Sequence, residues 1–501
     1  MFETVCLDKF KPRAFEIKEI GTVAEAKKGV ASIVGLPFCL YGQMVHFPND
    51  VKGMVVGFNE EKVMALVLGD ETQIKSGDEV IGKAEPFKVP VGEGFVGRVV
   101  DSLSTPSDGH GRVEPDDFYP VFRVAPGVME RIPVSEPLYT GTKIIDAITP
   151  LAKGQRELII GDRMTGKTVL AIDAILNQQG KDVICIYCCV GRSDAFLSKI
   201  IRLLREKGAM EYTVVAATTA ARSPGEQFLI PYTACALGEY FMYHGRDVLV
   251  VFDDLTKHAW VHRQISLLLE RSPGREAYPG DVFYIHSQLM ERAGRLRPEI
   301  GGGSMTFLPI VETQQGDVTG HIPSNLISIT DGQLYTSASI FNEGFKPAID
   351  FGLSVSRIGS RVQCEAMKEL SQKLRLDYVQ YKALLRLTNV KATLSAEAEA
   401  RLRKGEAMTQ IFMQEKNRPV SLEEQIVLLY ALESPLLGTL MTTQAEWKRS
   451  KAELFPFFLK TRSALIKEIG TEQRLTQQLK ERLEDGFRDF LRSQAWEEEE
   501  S

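Results

Sequence analysis

Residues 161–168 read Gly-Asp-Arg-Met-Thr-Gly-Lys-Thr, between the apolar run Glu157-Leu158-Ile159-Ile160 and the helix-like stretch VLAIDAIL. A G-x-x-x-x-G-K-T spacing after a strand and before a helix is the pattern of a loop that wraps nucleotide phosphates. Gly161 and Gly166 let backbone N–H groups curl around phosphate oxygens, and the helix that follows presents its positive N-terminal end. Lys167 supplies a point charge to the β- and γ-phosphates, and the Thr168 hydroxyl can ligate Mg2+. The candidate nucleotide-binding residues are therefore Gly161, Asp162, Arg163, Met164, Thr165, Gly166, Lys167 and Thr168.

Around this loop, from about residue 95 to 370, apolar strand-like runs alternate with helix-like segments. The runs ELII, VICIYCCV, TVVAAT, DVLVVFD, VFYIHS and LISIT read as strands, and KTVLAIDAILNQQ and FLSKIIRLLREKG as helices. Such alternation predicts a largely parallel sheet covered by helices. Residues 20–90 differ, with short β-like runs meeting at turns such as Asn59-Glu60-Glu61-Lys62, which predicts a small antiparallel barrel or sandwich. The Pro- and Gly-containing FKVPVGEGFVGRVVD marks the passage between the two. Beyond about 372 the spacing becomes helical, and Leu475, Leu479, Leu483, Phe487 and Phe490 share one face. The acidic ending WEEEES reads as frayed and solvated. The expected fold class is multi-domain α/β, with an N-terminal antiparallel β-barrel at 1–92, a central phosphate-loop domain at 93–371 and a C-terminal helical domain at 372–501.

A chain of 501 residues is too long for one core, which agrees with this division. A net charge of −6 gives no overall attraction to nucleic acid. No apolar run approaches the roughly 20 residues of a membrane span, and the N-terminus lacks the pattern of a signal or transit peptide. A bacterial cytoplasmic chain is expected, with any membrane association made through partners. The 7 cysteines are scattered and odd in number, as in a reducing compartment. Cys185 and Cys188 form a C-x-x-C spacing, but inside an apolar strand-like run they read as buried strand residues.

A metal-supporting acid should end a neighbouring strand, and DVLVVFDD supplies Asp253 and Asp254. Asp253 is expected to support the metal, although acids at a strand end also cap the next helix. Hydrolysis needs one group more, to orient or deprotonate water. The strand after the phosphate-loop helix, VICIYCCV, ends in Gly191-Arg192-Ser193-Asp194. Arg192 stands where a catalytic carboxylate is expected, and Asp194 reads as an exposed turn acid. The loop is therefore expected to bind nucleotide, with its catalysis in question.

The stretches GQRELIIGDRMTGKT, DDLTKHA, PGREAYPGDVFYIHSQLMERA, GGGSMTFLPIVETQQGDV, SNLISITDGQ and PAIDFGLSVSRIGS together resemble the alpha subunit of F-type ATP synthase. The likeness runs from about residue 20 to 440. It implies a RecA-like central domain and a non-catalytic site for ATP or ADP with Mg2+, with Thr168 and Asp253 on the metal side. It implies an alternating ring with three catalytic beta subunits around a gamma shaft, peripheral-stalk delta and b subunits, and a place on the cytoplasmic side of a bacterial inner membrane. Arg357 matches the arginine that reaches the neighbouring beta site, where a guanidinium fork suits phosphoryl oxygens. Ser354 matches a serine needed for activity at the same interface, and REAYPGDVF the loop facing the shaft.

Several positions depart from the family's pattern. Met164 replaces a glutamine, which removes an amide near the phosphates. Of two adenine-pocket glutamines, Gln414 remains while Lys416 stands for the other. A GQKRST-like turn is shortened to GRSDAF, and the N-terminal segment that would meet the delta subunit is brief and atypical. These departures suggest a divergent alpha subunit, coupled to H+ or Na+, from an alternative operon such as the Na+-translocating N-type. Two other classes compete with this reading. A self-sufficient hexameric export ATPase would need the carboxylate that position 192 lacks. An RNA-translocating helicase would need a basic, aromatic N-terminal face, whereas this barrel segment has mixed charge.

Overall fold

The computed structural model describes residues 18–59, 61–388, 396–434, 436 and 444–499. The N-terminal stalk-contact segment lies outside the described residues.

The first strands close on themselves: β1 (Lys18–Lys27), β2 (Val30–Val34), β3 (Gln43–His46), β4 (Lys52–Phe58), β5 (Val63–Leu68) and β6 (Glu79–Pro86), in the order β1-β2-β5-β4-β3-β6. Every pairing is antiparallel. Alternation along the strands sends Val23, Ala31, Ile33, Val45, Val55, Ala65, Val67 and Val80 inward. Closure leaves no strand edge unpaired. Met54, Val56, Leu66 and Leu68 point the other way and join the core beneath the central sheet, which fixes the barrel to the next domain.

In the central domain the sheet strands are β7 (Val99–Val100), β8 (Glu157–Asp162), β9 (Val183–Arg192), β10 (Thr213–Thr219), β11 (Asp247–Asp253), β12 (Ser304–Thr313), β13 (Gly332–Thr336) and β14 (Val355–Ser356). They lie in the order β14-β13-β8-β12-β11-β9-β10-β7. All these neighbours run parallel except β14, which returns antiparallel along β13. Parallel strands covered on both faces read as continuous apolar runs, and β8 to β11 do so. The passage FKVPVGEGFVGRVVD supplies β7, so it is part of this sheet rather than a free linker. Helices α1 (Lys167–Leu176), α2 (Asp194–Glu206), α3 (Pro224–Tyr243) and α4 (Leu255–Leu268) cover it. Cys185, Cys188 and Cys189 are fully buried in β9, and burial pushes their thiols above the ordinary range, as structural strand residues require.

Two expected strands are helices. VFYIHS lies within the helix Val282–Met290, where Val282, Ile285 and Leu289 form a buried stripe at helical spacing. LISIT ends the helix His321–Ile329, with Thr330 as its extended C-cap, and the helix buries Ile322 and Leu326 one turn apart. Short apolar runs satisfy either period, and packing against the sheet decides. A central strand, β12, went unread because three glycines precede it and Pro309 interrupts it.

The C-terminal domain packs α5 (Glu365–Thr388), α6 (Ala396–Phe412), α7 (Leu422–Glu433), α8 (Gln444–Thr461), α9 (Ser463–Glu472) and α10 (Gln477–Glu499). Leu475, just before α10, and Leu479, Leu483, Phe487 and Phe490 along it form the expected buried face. Each such side chain contributes about 1.5–3 kcal/mol of burial. The α10 backbone stays helical to Glu499, so the acidic ending continues the helix where a frayed tail was expected.

Candidate nucleotide site

The loop after β8 leaves the sheet between β12 and β13. Gly161 sits opposite Thr336, and a Cβ there would fall 2.2 Å from both Thr336 O and Oγ1. Only glycine fits that crossing. Met164 takes φ 63 and Gly166 φ 97, so the loop curls through left-handed backbone before α1 begins. No atom lies within 4 Å of a Cβ built on Gly166, which leaves room above the N-terminus of α1. Asp162 pins the loop from below, its Oδ1 accepting from Thr313 Oγ1 at 2.6 Å and Gly316 N–H at 2.8 Å. Thr165 Oγ1 donates to Asp162 O at 2.8 Å. Arg163 reaches outward to Glu312 Oε2 at 2.9 Å.

Lys167 folds back across the loop, donating to Gly161 O at 2.9 Å and Asp162 O at 2.6 Å. Burial lowers its ammonium below the ordinary lysine value, while Glu312 and Asp254 oppose the shift. Met164 is 89% exposed and its side chain faces solvent. The shape and donors suit polyphosphate: backbone N–H groups, an open helix N-terminus and one buried ammonium.

Behind the loop, Asp253 ends β11 fully buried. Its Oδ2 accepts from Thr168 Oγ1 at 2.8 Å and from Tyr187 OH at 2.8 Å. Its Oδ1 accepts from Arg192 Nε at 3.2 Å and, more closely, from Nη2. Nη2 also lies 2.8 Å from Asp254 Oδ2, and Nη1 lies 3.5 Å from Glu312 Oε1. Burial works against the Arg192 charge, but Asp253 and Asp254 outweigh it and raise the guanidinium above its ordinary value. Burial raises Asp254 to about 7, with Arg192 pulling the other way. Asp254 also caps α4, accepting from Lys257 N–H at 2.8 Å.

Thr168 and Asp253 are the pair expected to hold Mg2+, and their contact brings them together. An ionised carboxylate offers about four lone-pair sites. Those of Asp253 are met by Thr168, Tyr187 and two N–H groups of Arg192, so this donor set does not fit a divalent cation while Arg192 stays in place. Arg192 and Tyr187 were not read as partners of Asp253, nor Glu312 as a partner of Arg192. Tyr187 gave no local signal, lying 66 residues from Asp253 in the chain and meeting it only through strand order. Asp194 is exposed in the first turn of α2, where Ser193 caps the helix. It acts as an N-terminal helix acid.

Gln414 is engaged by backbone: Oε1 accepts from Lys143 N–H at 3.1 Å, and Nε2 donates to Gly141 O at 2.8 Å and Arg418 O at 2.9 Å. It ties the C-terminal domain to the segment before the sheet. Lys416 is exposed.

Arg357 and Ser354 lie elsewhere. Ser356 pairs with Gly332 at the start of β13, whereas Thr336 at its end faces Gly161. Four residues of strand, about 13 Å, thus separate the Arg357 end of the sheet from the phosphate loop. Arg357 is exposed, and its backbone N–H donates to Asp331 O at 2.9 Å. Ser354 is fully buried, its hydroxyl accepting from Tyr335 N–H at 3.0 Å. It anchors the strand that carries Arg357 and has no surface of its own.

Three family models match the chain in the order of its domains. "ATP synthase alpha/beta family, beta-barrel domain" matches residues 16–83, "ATP synthase alpha/beta family, nucleotide-binding domain" residues 141–356, and "ATP synthase alpha/beta chain, C terminal domain" residues 363–490. A protein named ATP synthase subunit alpha from Clostridium botulinum (strain Eklund 17B / Type B) is 45% identical over 470 residues, covering 94% of this chain and 93% of its own. Another of that name, from Clostridium botulinum (strain Hall / ATCC 3502 / NCTC 13319 / Type A), is 46% identical over 475 residues, covering 95% and 94%. With a barrel, a phosphate-loop domain and a helical domain in this order and likeness along nearly its whole length, the chain belongs to the ATP synthase alpha/beta family and is similar to its alpha subunits.

Proposed function

We propose that the chain is the non-catalytic, nucleotide-holding alpha subunit of a rotary ATP synthase, divided near residues 92 and 371. The observation that carries this reading is Arg192. At the end of β9, where a water-activating carboxylate would stand, a guanidinium is locked onto Asp253 and Asp254. Asp194 is turned to solvent, and Glu312 is paired with Arg163 and Arg192. A site without a free base near the phosphates binds nucleotide without activating water. The nucleotide is ATP or ADP, cradled by Gly161 to Thr168. An Mg2+ ion accompanying it would have to displace Arg192 from Asp253.

In this reading Arg357 works outside its own chain. It is exposed at the end of the sheet remote from its own phosphate loop, as an arginine offered to a neighbour must be. Ser354 is a positioning residue behind it. The partners are beta subunits alternating with this chain around a gamma shaft, with delta and b subunits in the peripheral stalk. REAYPGDVF, exposed at Arg275, Glu276, Ala277, Gly280 and Phe283 and with Glu276 and Ala277 in left-handed backbone, is the loop turned to the shaft. Among the described residues no helix is long and apolar enough to cross a membrane. The chain sits on the cytoplasmic face of the inner membrane through the assembly, which couples ATP turnover to H+ or Na+ movement.

The test is Arg357→Ala in the reconstituted assembly. Arginine fingers contribute about 10³–10⁵ in rate, so turnover should fall by about that factor while the ring still assembles. Unchanged turnover in an intact ring would contradict the role, and loss of assembly would make Arg357 structural.

A further inference from the structure

The arginine that excludes catalysis has a second consequence for the ligand. Arg192 is held on every side: Nε and Nη2 by Asp253, Nη2 by Asp254, Nη1 toward Glu312 at 3.5 Å, with the Phe196 ring 5.2 Å from Cζ. Its side chain is only 17% exposed, and those of Asp253 and Asp254 are fully buried. The remaining Asp253 oxygen is filled by Thr168 and Tyr187 at 2.8 Å each. A divalent ion needs the same carboxylate, either directly or through its water shell, and the same Thr168 hydroxyl. To enter, it must expel a guanidinium from two buried carboxylates that it pairs directly. Breaking a buried pair of this kind is strongly unfavourable.

We propose that Arg192 is the resident cation of this site, standing in for the divalent metal. The phosphate loop then takes a nucleoside di- or triphosphate in its metal-free form. The Nη1 edge, whose contact with Glu312 is long, keeps N–H capacity for a phosphate oxygen, and Lys167 can exchange its two loop carbonyls for phosphate. A planar guanidinium suits phosphate oxygens as well as carboxylates, so one side chain can bridge both. This inference rests on the reading of Gly161 to Thr168 as a nucleotide site.

The experiment is titration of a fluorescent ATP analogue into the full chain in excess MgCl2 and in excess EDTA, with Arg192→Gln in parallel. The wild type should bind no more weakly in EDTA than in MgCl2, where Mg2+ sequesters most of the metal-free nucleotide, whereas Arg192→Gln should bind at least about tenfold more tightly with Mg2+. A wild-type affinity that drops about tenfold or more in EDTA overturns the inference and leaves the nucleotide site standing. Absence of binding in both media overturns the nucleotide site and this inference together. Equal binding of a folded Arg192→Gln in both media also overturns it, because metal independence would then not come from Arg192. Electron paramagnetic resonance with Mn2+ needs no variant: the wild-type chain should bind nucleotide without immobilising Mn2+, and stoichiometric Mn2+ at the site refutes the proposal.

Discussion

Replacing Arg192 by alanine should destabilise the central domain in a pH-dependent way. The guanidinium is the cation shared by Asp253 and Asp254, both fully buried. Removing one partner of a buried ion pair costs about 3–5 kcal/mol, because the remaining charge is stranded. Here two carboxylates are stranded, but Asp254 can escape by taking up a proton. Asp254 already stands at about 7 in the folded chain, against an ordinary value of 3.8. A carboxyl raised on folding makes the folded state hold a proton that the unfolded state releases, so stability falls as pH climbs from the unfolded value to the folded one. Loss of Arg192 pushes Asp254 higher still and extends this window upward past neutrality. The penalty is therefore larger at pH 8.5 than at pH 6, by about 1.4 kcal/mol per pH unit over which Asp254 still titrates. In calorimetry a domain of this size loses about 2–4 °C per kcal/mol, so the variant's central transition should drop by about 6–20 °C at pH 8.5 and clearly less at pH 6. A drop below about 2 °C at both pH values would mean that Arg192 is solvated rather than locked between the acids.

Two further outcomes test the cradle itself. Gly161→Ala places a methyl 2.2 Å from Thr336 O, so the β8–β13 crossing must open; nucleotide binding should be lost and thermal stability reduced, and an unchanged affinity would refute the close approach. Met164→Gln restores an amide to an exposed, left-handed position of the loop. One added hydrogen bond is worth about 0.5–1.5 kcal/mol, so affinity should rise roughly two- to tenfold, and equal affinities would clear Met164 of weakening the site.

The phosphate loop was legible because its chemistry is local: eight consecutive residues carry the glycines, the lysine and the hydroxyl. Strands β8, β9, β10 and β11 were legible because burial on both faces writes them as unbroken apolar runs. VFYIHS and LISIT were misread because a run of five or six apolar residues has no period of its own, and only contact with the sheet makes it helical. Strand β12 was hidden by Pro309, which a buried central strand rarely tolerates. Arg192 was legible as a missing acid, yet its grip on Asp253 and Asp254 was not, since 61 residues separate them. Gln414 shows the same limit: its place beside Gly141 and Lys143 depends on how the helical domain docks.

The central claim is that this chain holds a nucleotide without cutting it. The most direct measurement is to load the full chain with γ-labelled ATP, remove the excess, and follow bound ATP and released phosphate over time. The account predicts that the bound nucleotide stays ATP, with no phosphate released beyond spontaneous hydrolysis. Phosphate release by the isolated chain at the turnover rate of a motor ATPase would contradict it, because Arg192 could not then be what stands in the place of the catalytic acid.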